Sequence, residues 1–245
     1  MRRLLVAISF FTRIPVKIKW EVSEDEFYSS MNLLPVIGLL IGAILYGIGY
    51  LLNGINNEVV SLILIIVYIW LTGGLHIDGF IDTVDGVLSN RDKNRVLEIM
   101  KDSRIGAFGA IAIIILLLSY FVLFKYINGV ALLIMPIVGR SCALSAASLS
   151  KYAKETNDLG KRFVEDMGKK DMVFAIIFTI LVIVVADYFH VFPFVFCILL
   201  TFYFVHYFKK KISGMTGDTI GMLIELNQVA YLFSLYIIQS FVGGL

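Results

Sequence analysis

The sequence predicts an all-α fold, a polytopic membrane helix bundle of about seven transmembrane spans (six to eight allowed), and three observations carry that prediction. Charged residues make up only 16% of a chain that is 59% hydrophobic, with a mean hydropathy of +0.87, whereas soluble domains hold about 25% charged residues. Apolar residues also come in long runs: Leu33 to Leu52 and Ile105 to Phe124 contain no Asp, Glu, Lys or Arg. A helix crosses the hydrocarbon core with roughly 20 mainly apolar residues, and lipid forces such runs to satisfy their backbone internally, as helices do. Finally, the cationic residues alternate from loop to loop in the pattern of a multi-pass chain.

In chain order, Arg2-Arg3 and the short apolar stretch Leu4 to Phe11 stop at Thr12-Arg13 without a convincing cleavage site, so residues 1–15 read as an interfacial helix rather than a signal peptide. Spans follow at about 32–52, 58–75, 105–124, 129–148, 172–187, 191–208 and 219–243, the fifth being short. Five Lys or Arg residues precede the first span, five lie between the second and third, six between the fourth and fifth, and three follow the sixth. Thus 19 of 21 fall on one side, leaving Lys125 opposite and Arg140 inside a span. The intervening loops Asn53 to Asn57 and Asp187 to Pro193 have none. The positive-inside rule then puts the N-terminus in the cytoplasm and the C-terminus outside. With no repeat or low-complexity tract, residues 1–245 read as one membrane-embedded catalytic domain.

A net charge of +2 makes no case for a nucleic-acid partner. Cys142 and Cys197 lie in apolar runs without ligand spacing and read as core-filling thiols. His190 and His206 stand alone on aromatic-rich segments and read as satisfied or interfacial. No HExxH, nucleophile elbow or P-loop is present.

The chemistry gathers at the cytoplasmic ends. Within Gly73-Gly74-Leu75-His76-Ile77-Asp78-Gly79-Phe80-Ile81-Asp82-Thr83-Val84-Asp85-Gly86, a continuing second helix would set Asp78, Asp82 and Asp85 at i, i+4 and i+7 on one face. Stacked like charges call for a cation, and Mg²⁺ binds through one or two carboxylates plus substrate phosphate. A solvated acidic helix end is the plain alternative, but the apolar neighbours Phe80, Ile81, Val84 and Val87 argue for burial, and membrane carboxylates are costly. Before the third span, Asp102 is a further metal-ligand candidate, and Lys101 and Arg104 are phosphate-binding candidates; a basic helix end explains the two cations nearly as well. Arg140, inside the fourth span, needs an acidic neighbour, an anionic substrate or a route to the interface. Asp218 and Glu225 sit seven residues apart on one helix face. Around them Gly214, Thr216 and Gly217 read as a tight anion-facing turn, with a helix start capped by Asp218 or Thr219 as the alternative. His76 neighbours the carboxylates and reads as a phosphate ligand or an orienting group for an aspartate.

At these residues the chain resembles the cobalamin synthase family, the adenosylcobinamide-GDP ribazoletransferases. The matching stretches are Phe11-Thr12-Arg13-Ile14-Pro15, Leu34-Pro35-Val36-Ile37-Gly38, Thr72 to Gly86, Met100 to Gly109 and Thr216-Gly217-Asp218, in family order along the chain. Asp82-Thr83-Val84-Asp85-Gly86 also fits the DxxDG opening of the CDP-alcohol phosphotransferases, although the Ala-Arg pair and the later GxxxDxxxD portion of that motif do not follow.

The resemblance implies a Mg²⁺-dependent transferase in the cell membrane. Its substrates would be adenosylcobinamide-GDP and α-ribazole or its 5′-phosphate, and GMP would leave. On this reading Asp78, Asp82, Asp85 and Asp102 are the catalytic and metal-binding residues, Asp82 and Asp85 the foremost ligands, with one of the four taking the proton of the attacking hydroxyl. Lys101, Arg104 and Arg140 would hold phosphate, and His76, Asp218 and Glu225 the substrate. The rival readings are a CDP-alcohol phosphotransferase of lipid synthesis and an ion-coupled transporter. Oligomeric state is left open.

Overall fold

Seven apolar runs become seven long helices, and short polar connectors between them set where each begins. In a computed structural model that describes residues 1–127, 129–154 and 159–242, α1 (Arg2–Phe11) is the expected N-terminal helix. Ser23 then caps α2 (Glu24–Ser30) by accepting from the Glu26 amide at 3.1 Å. A 3₁₀ turn, Met31–Leu33, leads into α3 (Leu34–Leu51), whose first turn accommodates Pro35 because its amide needs no partner there. Asn56 caps α4 (Asn57–Thr72), taking the Glu58 and Val59 amides at 3.0 and 3.3 Å. After α5 (Leu75–Leu88) and the short α6 (Lys93–Ile99) come α7 (Ala107–Tyr126) and α8 (Gly129–Ser148). The chain ends with α9 (Leu159–Asp166), α10 (Lys169–Ala186), α11 (Val191–Ile212) and α12 (Gly217–Val242).

Five stretches, those ending in α3, α7, α8, α11 and α12, are each long and apolar enough to cross a bilayer. The other two differ from the simple expectation for physical reasons. The second predicted span does not run straight through the aspartates: α4 ends at Gly73, and α5 leaves at 92° to it, so only the bent pair together has the length of a span. The fifth, α10, is apolar throughout except for Lys169-Lys170-Asp171, which load its first turn with three charges.

α8 is the centre of the bundle, with 89% of its length buried. It packs against α3, α10, α11 and α12. Its crossing with α3 is close enough that a Cβ on Gly42 would lie 2.0 Å from the Leu133 carbonyl oxygen. By contrast α7 and α11 are largely uncovered, presenting Ile111, Ile114, Ile115 and Leu118 on one and Leu199, Phe202 and Tyr203 on the other. Exposed apolar belts on long apolar helices are the surface of a multi-pass membrane protein. Both cysteines are free and buried, as core-filling thiols should be. His190 is buried and hydrogen-bonded to Tyr231, whereas His206 is exposed.

Contacts between distant segments sort the connectors into two ends. At one, the Arg13 amide donates to Leu71 O at 2.8 Å, Arg162 pairs with Glu24 at 3.0 Å, and Lys211 reaches Arg91 O at 3.2 Å. At the other, Asn57 reaches Lys125 O at 3.4 Å and Lys125 pairs with Glu58. The basic connectors thus share one end of the bundle, as the alternation in the sequence required.

Candidate active site

The site begins with a turn that only glycine makes cheaply. Gly73 and Gly74 both adopt left-handed backbone, with φ of +64° and +73°, which stops α4 and starts α5 in a new direction. Because residues 75–88 are helical, Asp78, Asp82 and Asp85 do share a face, as the spacing predicted. The neighbouring face, His76 and Gly79, meets the N-terminal half of α12. The approach is close: a Cβ on Gly79 would stand 2.9 Å from both Cα and O of Asp218.

Two further devices bring a cation to this crossing. Thr216 and Thr219 cap α12 reciprocally, the Thr219 hydroxyl accepting from the Thr216 amide at 2.8 Å and the Thr216 hydroxyl from the Thr219 amide at 3.2 Å. The turn before α12 is therefore closed upon itself, and the cap is Thr216 rather than Asp218 or Thr219. Just before it, Met215 exchanges two backbone hydrogen bonds with the connector after α8, Met215 N to Lys151 O and Ala153 N to Met215 O, both 2.9 Å. This ladder delivers Lys154 to Asp218 at 3.2 Å, with the lysine side chain only 11% exposed. Sequence reasoning missed Lys154, because nothing local marks it among the lysines of its loop.

Asp82 lies in the middle of this arrangement, on the α5 limb of the bent span. It is half-buried, with the carboxylates of Asp78, Asp218 and Asp85 as its charged neighbours and Lys154 as the opposing charge. The concentration of negative charge read from the sequence is thus real, but it is built from α5 and α12 together.

The other predicted residues are placed differently. Asp85 is 93% buried, and its two oxygens accept from the Gly106 and Gly109 amides, each at 2.8 Å. It caps the start of α7 across 21 residues of chain, one amide on each oxygen. Asp102 is turned to its own neighbour: Arg104 grips it through Nε and Nη2, at 3.0 and 2.6 Å, and holds its pKa down to about 2. Asp85 and Asp102, read from the sequence as metal ligands, are thus both engaged by protein donors in this arrangement. Arg104, committed to Asp102, and Lys101 are both exposed beyond the α5 face.

Arg140 and Glu225, expected to touch substrate, are both 0% exposed. Glu225 accepts from the hydroxyls of Tyr68 and Tyr120, each at 2.7 Å, and Gln228 Nε2 donates to the same two hydroxyls at 2.7 and 3.0 Å. Arg140 donates to Pro136 O at 3.3 Å one turn below it in α8. Both are sealed from solvent in this arrangement, and Arg140 Nε and Nη2 find no hydrogen-bond partner among the described residues.

His76 is buried and faces a cleft of about 220 Å³ bounded by Phe10, Phe11, Phe163, Ile224, Asp78 and Asp218. It contacts the Phe11 ring at 6.4 Å between centroids, an apolar setting that suits shaping the cleft more than gripping phosphate. The cleft is mostly apolar with a few polar groups at its rim, the usual character of a small-molecule site.

Among the described residues, no three His, Cys, Asp or Glu side chains form a group able to enclose a metal ion. A preformed protein cage is therefore absent from this part of the chain. The donor set still suits a hard cation that completes its shell with water and substrate oxygens. Asp78 is exposed, Asp82 half-buried, and neither carboxylate makes a protein hydrogen bond among the described residues.

Comparison with known proteins agrees over the full length. The family model for CobS, cobalamin-5-phosphate synthase, matches residues 3–236. A protein of Alkaliphilus oremlandii called adenosylcobinamide-GDP ribazoletransferase is 40% identical over 247 residues, covering 99% of this chain and 100% of that one. Proteins of the same name from Clostridium acetobutylicum and Acetivibrio thermocellus are 36% and 38% identical, each over at least 98% of both chains. No solved structure matches. A family match from residue 3 to residue 236, running through the turn at Gly73, the α5 aspartates and the start of α12, leaves one conclusion: this chain is a transferase of the cobalamin synthase family, the adenosylcobinamide-GDP ribazoletransferases.

Proposed function

We propose that the α5–α12 crossing transfers the phospho-cobinamide group of adenosylcobinamide-GDP to α-ribazole or its 5′-phosphate, releasing GMP. The observation that carries this reading is the meeting of Asp78 and Asp82 with the Lys154–Asp218 pair beside an aromatic-lined cleft, in a chain whose relatives bear that activity as their name.

Breaking a diphosphate requires that its charge be neutralised and its groups held in line. Mg²⁺, which the family resemblance implies, would be held by Asp78 and Asp82 and would supply electrostatic stabilisation of the phosphate oxygens and of departing GMP. Asp82 stands among crowded carboxylates, which is the setting in which a bound cation is favourable. Lys154 fixes Asp218 at the mouth of the cleft, orienting it toward the acceptor. The attacking hydroxyl must lose its proton, and Asp78 and Asp82 are the two of the four candidate carboxylates without a protein partner among the described residues. The cleft between Phe10, Phe11 and Phe163 offers apolar faces to the acceptor base. The basic connectors at this end of the bundle support a place at the cytoplasmic face of the cell membrane, with the N-terminus inside.

The test is incubation of purified protein with adenosylcobinamide-GDP, α-ribazole and Mg²⁺. GMP release that is abolished by a chelator and restored by Mg²⁺ is expected. Absence of GMP with both acceptors present, in folded protein, overturns the reading.

A further inference from the structure

The aromatic cleft has a polar neighbour. Phe10, Leu75 and Asp78 line both it and an adjoining hollow of about 540 Å³ completed by Ser9, Thr12, Arg13, Thr72 and the Gly73-Gly74 turn. Arg13 is the one cation among those lining residues. It is exposed, and its guanidinium makes no hydrogen bond or ion pair among the described residues, not even with Asp78 across the same hollow.

We infer that Arg13 is a substrate-binding residue whose guanidinium receives a phosphate group of a nucleotide substrate in this hollow, alongside Asp78. The inference rests on the proposed reaction and adds a residue to it. Three features of the local structure support it. The position of Arg13 is set by backbone and hydroxyl contacts alone: its amide donates to Leu71 O at 2.8 Å, while Thr12 Oγ1 donates to Ile8 O at 2.7 Å and accepts from the Ile14 amide at 3.2 Å. The side chain then lies across the turn, where a Cβ on Gly73 would come within 2.7 Å of Arg13 Nε. Glycine at 73 thus serves both the left-handed turn and the seat of the guanidinium. The guanidinium lies over the turn without an anion among the described residues, beside a carboxylate that is equally unpaired there. A phosphate accepts two parallel hydrogen bonds from such a fork, and its remaining oxygens would face the Asp78 side of the hollow, where the proposed cation lies.

The phosphate could belong to the diphosphate of the donor, to the 5′-phosphate of the acceptor, or to a lipid headgroup at the interface, and kinetics separate these. With Arg13→Gln, KM for one substrate should rise roughly 10–100-fold, the loss of a charge-assisted contact, while the melting temperature in detergent stays unchanged. A rise for adenosylcobinamide-GDP with either acceptor assigns Arg13 to the donor. A rise for α-ribazole 5′-phosphate but not for α-ribazole assigns it to the acceptor. Arg13→Lys should recover part of the affinity as a point charge without the fork. A binding measurement keeps this distinct from the reaction itself: calorimetric titration of Mg²⁺-loaded protein with inorganic pyrophosphate should show weaker binding to Arg13→Gln than to the unaltered chain. Unchanged KM values and unchanged pyrophosphate binding overturn the inference, as does a loss of activity that anionic lipid restores or that follows a fall in melting temperature. Weaker pyrophosphate binding without any GMP release from the unaltered chain would instead sink the proposed reaction and keep the phosphate seat.

Discussion

Asp218 and Glu225 stand on one face of the same helix, about 10 Å apart along its axis, in opposite surroundings. Asp218 is at the mouth of a cleft, paired with a lysine brought from another loop, and shares its field with the α5 carboxylates. Glu225 is sealed, with both oxygens answered by tyrosine hydroxyls and a glutamine bridging those same hydroxyls. The first region concentrates unneutralised charge where a substrate can enter, whereas the second spends a carboxylate on joining α4, α7 and α12. A charged residue in an apolar helix is costly in both places; what tells them apart is whether protein groups already meet it. The same contrast runs through α5, where Asp82 is unpartnered and Asp85, three residues on, is saturated by the amides of α7.

Substitution at the two regions should separate them most sharply by rate. Asp78→Asn and Asp82→Asn are expected to lower GMP release by about 100-fold or more, since they remove charge at the transferring phosphate. Asp82→Asn should also leave the melting temperature unchanged or raised, because it relieves crowding among carboxylates. Glu225→Gln, neutral and of the same shape, should stay within about tenfold of the unaltered rate. A fully active Asp82→Asn would erase the distinction, as would an inactive but folded Glu225→Gln.

Two glycine crossings extend the comparison. Gly79→Ala must push α5 from α12 and is expected to lose most activity along with about 1–3 kcal/mol of stability. Gly42→Ala, at the tighter contact with α8, should lose at least as much stability while kcat per folded molecule holds. Unfolding in detergent, paired with turnover, measures both.

In the sealed region, Tyr68→Phe removes one donor to Glu225 and should destabilise by about 1–3 kcal/mol with kcat near that of the unaltered chain. Asp85→Asn weakens a helix cap and should cost about 0.5–2 kcal/mol. The Mg²⁺ concentration giving half-maximal rate should not move in Asp85→Asn, whereas it should rise in Asp82→Asn; a shift in both would return Asp85 to the metal site. The smallest effect is expected at Arg104. With Arg104→Ala, the Asp102 pKa should return from about 2 toward its ordinary 3.8, followed by carboxyl NMR, with little change in rate. Because the folded pKa is depressed, any stability the pair confers is present above pH 3.8 and disappears as pH falls toward 2.

The apolar runs made the seven long helices legible, because lipid-spanning backbone has so few alternatives. The cationic loops likewise marked which connectors share an end. The i, i+4, i+7 face of Asp78, Asp82 and Asp85 was legible for the same reason, since helical periodicity is local. Illegible was the bend at Gly73-Gly74: two glycines permit a left-handed turn without requiring one, and the sequence reads equally well as a continuing helix. Lys154 was not singled out, and Arg13 only within the stretch Phe11 to Pro15 and without a role, because their significance lies in residues far along the chain, Asp218 and Gly73.

The sequence by itself determined the class of fold, the end at which polar residues collect, and the identity of the acidic stretch. These follow from composition and from periods of a few residues, which act without reference to the rest of the chain. Only the tertiary structure decided which carboxylates remain free. Asp85 is satisfied by amides that begin another helix, Asp102 by an adjacent arginine, and Glu225 by two tyrosines from other helices. A carboxylate's availability is set by the donors that packing brings within about 3 Å, and packing is the one thing a linear pattern does not record.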